Sequence, residues 1–597
     1  LEKSSGEITK LKGQLIDYSF INELLQLKQI NLERKNSTFQ NFDFAVRMSH
    51  AMLNGFDLNV LMNESDFNYT NCKIDSLRMN LMAHHDTIAN RKRSKTVAKK
   101  LKRKSRFLIH PISIANIQFE YTSRFDTIQT SAKYFSYNKR ELNLENIKLR
   151  FYQKHLIEAE IKKLAINGFD ADVFLEKKQV GLTKMKIKNP KIKIDLFVQK
   201  DYAKIEKNEE ESLGYTLDVI DNFEIENGQI LLKNKSQKNL YIEVNSIDLK
   251  ASNLNPSYNQ NEINNQLVKQ ISFSTGNLVL NFPSNLYQLK LNEIKYNLAN
   301  ESMAIKDIKI YSNYKKSEFH AIVKKQIAMI NFDLKKLSAS GININSLIKN
   351  NNFDCNEIIA EHLKVVFYKD KNIPLLASDY KKFPQELLYD LNYPITINKL
   401  QVKDAALISE ILNPGAGNIA KLNVSNVQAE INHVDNQRYK GNQMKVKFEG
   451  RIADAGLLQA TAVVDMYASD FKHTVHAEIG KMPFKYLNDF MIDFARVEIS
   501  DGILDKAVID ITGNNKKTNC KLKLSYHDLN MDILRNQNKK NKRYRTVASI
   551  LANSIIYNHN PEPGKPLRTS EISQEYISNK FVVGNWINVS LKAMLLT

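Results

Sequence analysis

Few residues in this chain have the types and spacing that catalysis or metal binding needs. The nearest approach to a ligand set is the His-His-Asp run at residues 84–86. Consecutive strand side chains point to opposite faces, so the two histidines would not converge on one ion. Asp370, Asp379 and Asp390 are spread over a turn-rich segment and do not pair as acid and base. With no phosphate-binding loop, nucleophile elbow or Cys/His metal spacing, the sequence predicts a non-enzymatic protein without cofactor or metal.

A basic run at residues 91–106 is the second candidate for chemistry. It carries ten Lys and Arg in sixteen residues and no acid. Such density can bind anionic lipid headgroups, and the candidate residues are Lys99, Lys100, Lys102 and Arg103. The alternative interpretation is a solvated loop between strands.

The total charge of the chain allows the same two interpretations. Lys and Arg number 86 and Asp and Glu 65, which gives a net charge of +21. An anionic partner would explain this value, and so would compositional drift in a chain rich in Lys, Asn and Ile. Nucleic acid is not expected as the partner. The basic runs 91–106 and 539–545 contain a single tyrosine, and no helix-turn-helix or zinc-finger pattern is present.

The elements that would position any site are short alternating strands. In residues 223–249, apolar residues alternate on either side of Asn227-Gly228, which we expect to turn the chain, and again around Asn245-Ser246. Period-two alternation around short polar breaks is typical of antiparallel strands with one apolar and one wet face. Similar pairs recur at 112–121, 180–196, 289–298, 395–402, 422–431 and 497–526. The pattern predicts a mainly β protein with few helices, at 341–349, 484–492 and 544–557.

Other features constrain the class of protein. The three cysteines, Cys72, Cys355 and Cys520, are far apart and odd in number, so no disulfide framework is expected. No run of eighteen apolar residues exists, so the sequence predicts no transmembrane helix within it. The first residue is Leu1 and not methionine. We therefore expect a processed or truncated product, with any membrane anchor upstream.

Several stretches resemble the AsmA-like envelope proteins of the Bacteroidetes type. In 363–398 a strand ending in Tyr-Lys-Asp-Lys-Asn precedes a Pro-Gln-Glu-Leu-Leu segment and a new strand pair. Residues 479–533 carry Gly-Lys-Met, Leu-Asn, Ser-Asp-Gly and Tyr-His-Asp-Leu landmarks, and 550–568 are followed by a terminal segment with Trp586. Residues 161–196 also fit the repeated strands. The resemblance covers roughly residues 105–597, whereas 1–104 match only as generic strand repeats.

The resemblance implies a fold and a role. The fold is an elongated, twisted antiparallel sheet curled into a taco-like groove with an apolar inner face. The role is moving or accommodating phospholipids or other lipids in a Gram-negative envelope, with the membrane surface and envelope proteins as partners. The family has no catalytic residues to transfer. It usually starts with a membrane-anchoring helix, so the expected location is the periplasm, anchored to the inner membrane.

The resulting domain prediction has three parts. Residues 1–104 form an N-terminal β-rich segment ending in the basic loop. Residues 105–393 form central β-groove repeats. Residues 394–597 form a C-terminal AsmA-like β region with a terminal helix.

An apolar slot agrees with the physical chemistry of lipid binding. Each buried methylene contributes about 0.8 kcal/mol, so a partly filled slot can compensate for removing a lipid tail from water. The candidate groove residues are Ile225, Ile230, Leu232, Ile242, Val244, Ile397, Val402, Val424, Leu522 and Leu524. Two alternatives stay open at this stage. The protein could be a structural scaffold or outer-membrane assembly factor with a closed, dry core, or an enzyme without a visible motif.

Overall fold

The structure of the chain is a computed structural model. It describes residues 8–35, 42–64, 69–83, 111–123, 127–152, 155–171, 173–174, 179–196, 216–234, 240–255, 268–376, 379–414, 418–534 and 557–596. Statements about structure below concern these residues.

The chain is mainly β, as predicted, and divides into two compact units. Unit 1 is Leu1–Pro283 and unit 2 is Ser284–Thr597. This boundary falls inside the predicted central domain, and the predicted boundaries after residues 104 and 393 stay predictions. The short strands of unit 1 alternate apolar and polar residues, which is the pattern of a sheet with two different faces.

Unit 1 contains eighteen strands and one helix among its described residues. They are β1 (Ile8–Lys12), β2 (Leu15–Ser19), β3 (Leu24–Lys35), β4 (Phe42–Asn54), α1 (Leu58–Glu64), β5 (Asn71–Ile74), β6 (Leu77–Ala83), β7 (Ile112–Ile114), β8 (Ile117–Thr122), β9 (Thr127–Ala132), β10 (Tyr134–Asn138), β11 (Glu141–Tyr152), β12 (His155–Asn167), β13 (Gln179–Lys188), β14 (Lys191–Leu196), β15 (Thr216–Asn234), β16 (Tyr241–Leu254), β17 (Gln270–Thr275) and β18 (Leu278–Asn281).

Unit 2 contains fourteen strands and five α-helices among its described residues. They are β19 (Tyr287–Leu291), β20 (Glu293–Asn297), β21 (Ser302–Ser312), α2 (Lys316–Val323), β22 (Met329–Ser340), α3 (Ile344–Asn350), β23 (Phe353–Asp370), α4 (Pro384–Tyr389), β24 (Ile395–Leu412), β25 (Ile419–Asp435), β26 (Gln443–Ile452), β27 (Gly456–Asp465), β28 (His473–Ile479), β29 (Met482–Pro483), α5 (Asn488–Ala495), β30 (Val497–Gly513), β31 (Lys517–Ile533), β32 (Thr569–Glu575) and α6 (Val582–Met594). A 3₁₀ turn at Phe484–Leu487 precedes α5.

The prediction of an antiparallel sheet curled into a taco-like groove is only partly right, because the sheet is mixed and does not curl into such a groove. Among the described strands, β5 and β7, β6 and β8, β13 and β15, β14 and β15, and β23 and β24 pair in parallel. Most other described pairs are antiparallel. A parallel pair needs a long return connection, because both strands must start at the same end. Between β23 and β24, residues 371–394 make this return and carry α4. The sheet is therefore mixed.

The expected turn at Asn227-Gly228 is also wrong. Strand β15 runs through it without reversing, and β16 likewise runs through Asn245-Ser246. Asn227 and Ser246 adopt left-handed backbone conformations, with φ of 50° and 52°. A left-handed residue inside a strand makes a bulge, which switches the side-chain parity and bends the strand without ending it. The parity switch in the sequence is thus real, and its cause is a bend.

Unit 2 buries its largest core where helices cover the sheet. Leu522 and Cys520 of β31 pack with Val589 and Ala593 of α6, and all four are at most 1% exposed. Helix α6 places Val582, Asn585, Val589 and Ala593 on its buried side. The sequence predicts a terminal helix without bounds, and it marks this stretch only by its tryptophan. The predicted helices near 341–349 and 484–492 correspond to α3 and to the 3₁₀ turn with α5, while 544–557 lies almost wholly outside the described residues.

A histidine and the only tryptophan of the chain connect α6 to β28. The indole N–H of Trp586 donates to Nε2 of His473 at 3.0 Å. The other ring nitrogen of His473 must then carry the proton, and it donates to the carbonyl of Phe471 at 2.9 Å. His473 is 3% exposed, and burial lowers its pKa below the usual value, although Asp470 and the Phe471 carbonyl oppose this shift. The ring is held neutral.

We expect unit 2 to lose stability as the pH falls through about 6.5, the usual histidine pKa. His473 has a lowered pKa in the folded state, so the unfolded chain binds the proton more readily. The stabilisation is complete above that pH and declines below it. Thermal unfolding followed by Trp586 fluorescence measures the change between pH 8 and pH 5.

The matched control is His476→Gln, because His476 is exposed and pairs with Asp510 at 2.7 Å. That variant should keep most of the wild-type pH dependence, whereas His473→Gln should flatten it. Equal pH dependence in the His473 variant and the wild type would contradict the assignment.

Candidate functional site

The candidate site is the apolar face of β11–β18 in unit 1. A line of left-handed residues crosses these strands: Asn146 in β11, Asn189 between β13 and β14, Asn227 in β15 and Ser246 in β16, with φ between 49° and 52°. We call this line the bend row. Asparagine is the non-glycine residue that tolerates this conformation best. The left-handed residues lie within β11, β15 and β16 and at the break between β13 and β14.

Hydrogen bonds show that the bend row continues from strand to strand. The amide of Asn189 donates to the carbonyl of Glu226 at 2.8 Å. The amide of Asn227 donates to Oδ1 of Asp248 at 2.9 Å, in the next strand. Side-chain and backbone acceptors therefore satisfy the amides that the bulges take out of the regular ladder.

The apolar side of the bend is tightly packed. Ile147, Pro190, Gly228 and Ile247 are buried there. A β-carbon at Gly228 would lie 3.2 Å from Cβ of Ile247 and 3.4 Å from Cγ2 of Ile225. Glycine suits this position because the neighbouring strand approaches closely and leaves little room for a side chain. These contacts also place Ile225 on the face that carries Ile230, on the other side of the bend.

Four rows of apolar side chains extend from the bend across six neighbouring strand positions. Within each row the residues are direct register partners. On one side of the bend the rows are Leu149, Ala159, Ile192, Ile230, Val244, Leu278 and Phe151, Ile157, Ile194, Leu232, Ile242, Leu280. On the other side they are Leu144, Leu164, Ile187, Ile225, Leu249, Phe273 and Leu142, Ile166, Met185, Phe223, Ala251, Ile271.

The side chains of this apolar face are only half-buried. Of the 24 residues in the four rows, Ala251 alone is buried, and the others keep partial access to solvent. None of the five clusters of buried side chains formed by the described residues includes a row residue. Within the described chain, no helix makes more than a minor contact with β11–β18. A contiguous apolar surface of this kind typically marks a binding site.

The opposite face of the same strands carries a ladder of charges. Glu158 accepts from Lys193 at 3.0 Å and lies 3.5 Å from Arg150, and Lys148 lies 3.4 Å from Glu160. The hydrogen bond to Glu158 raises the pKa of Lys193. A hollow of about 860 Å³ lies along this face. Its cations and anions pair with one another, so it is a wet face that neutralises itself.

Sequence reasoning missed this ladder, although its signal was present. Charges repeat at period two in Lys148 and Arg150, in Glu158 and Glu160, and in Lys191 and Lys193. The strand register places Lys148 and Arg150 opposite Glu160 and Glu158. It also places these two glutamates opposite Lys191 and Lys193. Like charges within a strand and unlike charges in the next predict such a ladder.

The ten predicted groove residues fall into two environments. In unit 1, Ile225, Ile230, Leu232, Ile242 and Val244 lie together in the half-buried rows. The unit 2 residues are Ile397, Val402, Val424, Leu522 and Leu524.

The unit 2 residues differ in exposure. Leu522 and Leu524 are 1% and 6% exposed inside the core below α6. Ile397 belongs to a smaller buried cluster with Cys355 and Ala339. Val402 and Val424 are half-buried on β24 and β25. The buried three contact the protein's own side chains, whereas the unit 1 set is half-buried.

The other predicted sites lie outside the residues that the structure describes. The predicted headgroup residues Lys99, Lys100, Lys102 and Arg103, and the His-His-Asp run at 84–86, lie outside the described residues. In the described part of the chain, no group of three or more His, Cys, Asp or Glu side chains could hold a metal ion. None of the helices within the described ranges has the length and apolar character needed to cross a bilayer.

Comparison with known proteins gives no further identification. No protein-family model and no curated protein sequence matches this chain. The resemblance to AsmA-like proteins therefore stays a prediction.

Replacing Gly228 tests the packing of the bend. Gly228→Ala puts a β-carbon against Ile247 and Pro190, at 3.2 and 3.3 Å. We expect it to destabilise unit 1 by about 1–3 kcal/mol, the usual cost of overpacking. Urea unfolding measures the change in the free energy of unfolding.

Gly181→Ala in β13 is the matched control. There the nearest atom to the new β-carbon is Oδ2 of Asp218 at 3.8 Å, and the backbone is not left-handed. This variant should be neutral or slightly stabilising. A Gly228→Ala protein as stable as Gly181→Ala would contradict the close approach at the bend.

Proposed function

We propose that this protein binds the acyl chains of lipids on the apolar face of β11–β18. The observation that carries the proposal is the set of four contiguous apolar rows, in which every side chain except that of Ala251 stays half-buried. A globular core of the same composition would bury these residues. Acyl chains are a suitable ligand because the face offers length and apolar area without polar groups that would require a partner.

The dimensions of the face suit a lipid tail. Six strand positions at about 4.8 Å spacing give each row a length of roughly 24 Å. One leaflet of a bilayer core is about half of 30 Å thick, so a row exceeds the length of one tail. Each methylene removed from water contributes about 0.8 kcal/mol. The charged ladder on the opposite face keeps the loaded sheet compatible with water.

The physiological role rests on the resemblance stated above. We propose lipid transfer or outer-membrane homeostasis in the periplasm of a Gram-negative envelope, at the inner membrane. In this proposal the apolar face of β11–β18 holds the acyl chains, and phospholipids are the cargo. The protein acts by binding and not by catalysis.

A second candidate is a structural scaffold or assembly factor for the outer membrane with a dry core. Unit 2 favours it, because Leu522, Leu524 and Ile397 are buried among the protein's own side chains. The two candidates differ in one respect. A scaffold needs no ligand on β11–β18, whereas a lipid carrier does.

Two adjacent leucines test the proposal with the same substitution on opposite faces. Leu232 lies in an apolar row, and Leu231 lines the charged hollow. Both are half-buried, so both aspartate variants are expected to fold. Leu232→Asp should weaken binding of a fluorescent fatty acid by at least about tenfold, because it removes apolar contact and desolvates a charge. Leu231→Asp should change the affinity less than twofold.

The purified wild-type chain gives the second measurement. Prepared without detergent, it should carry phospholipid detectable by native mass spectrometry, and Leu232→Asp should carry less. Equal fatty-acid affinities for the two variants, together with a lipid-free wild type, would reject the carrier and leave the scaffold.

A further inference from the structure

The C-terminal helix α6 has a second apolar face that points away from the protein. Val583, Ile587 and Leu591 are spaced four residues apart and are 51%, 57% and 50% exposed. Phe581 and Met594 extend this stripe at either end and are also exposed. Because the opposite side of α6 packs on β31 and β32, the outward stripe is not needed for the core. We call it the outer stripe.

Lysines border the outer stripe on its next helical row. Gly584, Asn588 and Lys592 follow Val583, Ile587 and Leu591 by one position each, so they lie along the adjacent row of the helix. The side chain of Lys580 runs along this row, with Nζ 3.4 Å from Oδ1 of Asn588. An apolar row beside a cationic row is typical of helices that lie at a membrane interface.

Three more lysines come to the same place from the end of β23 and the connection that follows it. The amide of Lys381 donates to the carbonyl of Ser578, just before α6, at 2.8 Å. Nζ of Lys371 lies 4.3 Å from the centre of the Phe494 ring. Burial and the neighbouring charges of Lys369 and Lys580 lower the pKa of Lys371 to about 8. These cations repel one another without compensation from an acid.

The lysines of this cluster have no acidic partners among the described residues. Within the described chain, none of Lys369, Lys371, Lys381, Lys580 and Lys592 forms an ion pair. The nearby acids are engaged elsewhere. Asp370 accepts from Asn372, and Glu386 accepts from Tyr380 at 2.6 Å. A half-buried group of like charges is costly unless an anion neutralises it.

We propose that the outer stripe of α6 and the adjoining lysine cluster dock unit 2 on the surface of an anionic lipid bilayer. Val583, Ile587 and Leu591 enter the interface between headgroups and acyl chains, and the lysines neutralise headgroup phosphates. Charge complementarity selects this occupant. A second copy of the chain would bring its own lysines against the first set, and a neutral protein would leave the cluster unpaired. This docking does not depend on acyl-chain binding by unit 1.

Vesicle co-sedimentation with the full chain tests the docking. The probes are vesicles of phosphatidylcholine alone and of phosphatidylcholine with 30 mol% phosphatidylglycerol. The wild type should prefer the anionic vesicles at least tenfold, and this preference should decline steeply between 50 and 300 mM salt. Hydrogen–deuterium exchange should show protection of 578–596 and 369–381 on vesicle binding. That localisation separates α6 from any contribution of the basic run at 91–106.

Two sets of variants have matched controls in unit 2. The triple change Lys369→Gln, Lys371→Gln and Lys580→Gln should reduce affinity for anionic vesicles at least tenfold. The control exchanges Lys399, Lys506 and Lys521 for Gln, since these pair with Glu430, Glu478 and Glu571 at 2.9 to 3.3 Å. Both sets remove three charges, so only the position differs.

For the outer stripe, Val583→Gln, Ile587→Gln and Leu591→Gln should weaken binding and remove the protection of 578–596. The control replaces Ile419, Leu457 and Tyr467, which are exposed elsewhere in unit 2, with Gln.

Three outcomes would overturn the docking. The first is equal loss of binding in the lysine variant and its control. The second is protection confined to residues outside 578–596 and 369–381. The third is lipid-independent dimerisation in sedimentation velocity that only the outer-stripe variant abolishes, with no protection of α6 by vesicles, which would assign the stripe to a second copy. Circular dichroism and the emission of Trp586 verify that each variant is folded.

Discussion

The left-handed bend near the middle of the strands is the constraint on which the candidate site depends. A strand that continued straight through Asn227-Gly228 would carry Ile225 and Ile230 on opposite faces, because they are five positions apart. The bulge switches the parity, so the apolar residues before and after it share one face. Gly228 then lets β16 approach closely enough to bury Ile247. Without the bend, each strand would mix apolar and charged residues on both faces.

Given the bend, the two faces of unit 1 differ in chemistry, one charged and one apolar. The charged face satisfies its own ionic groups through pairs such as Lys193 with Glu158. It therefore contributes a wet surface with little net field, since exposed pairs of this kind add little stability. The apolar face is held in shape by the buried residues of the bend and not by a filled interior. In unit 2, helices pack over the apolar face of the sheet and bury it.

The sequence alone predicts the alternation of apolar and polar residues along the strands. It predicts less well where the strands bend and which strands pair. Ile230, Leu232, Ile242 and Val244 share one face, as their spacing indicates. An Asn-Gly pair favours both a tight hairpin and a left-handed bend, and only the strand that pairs next decides between them. Parallel pairing of β23 with β24 depends on a partner more than twenty residues away, which local periodicity does not encode. The bounds of helix α6 were not predicted, because apolar residues occupy both of its sides and no single stripe stands out.

Strand pairing that runs mostly from neighbour to neighbour has a consequence for how the chain folds. Most described strands pair with strands close to them in sequence, so each strand offers a ready edge to the next one that emerges. A chain organised in this way can grow from one end, in the manner of a one-dimensional array. The five parallel pairs interrupt that progress, because a longer segment must return before pairing resumes. We expect folding to pause there, with the last completed strand exposed as an unprotected edge.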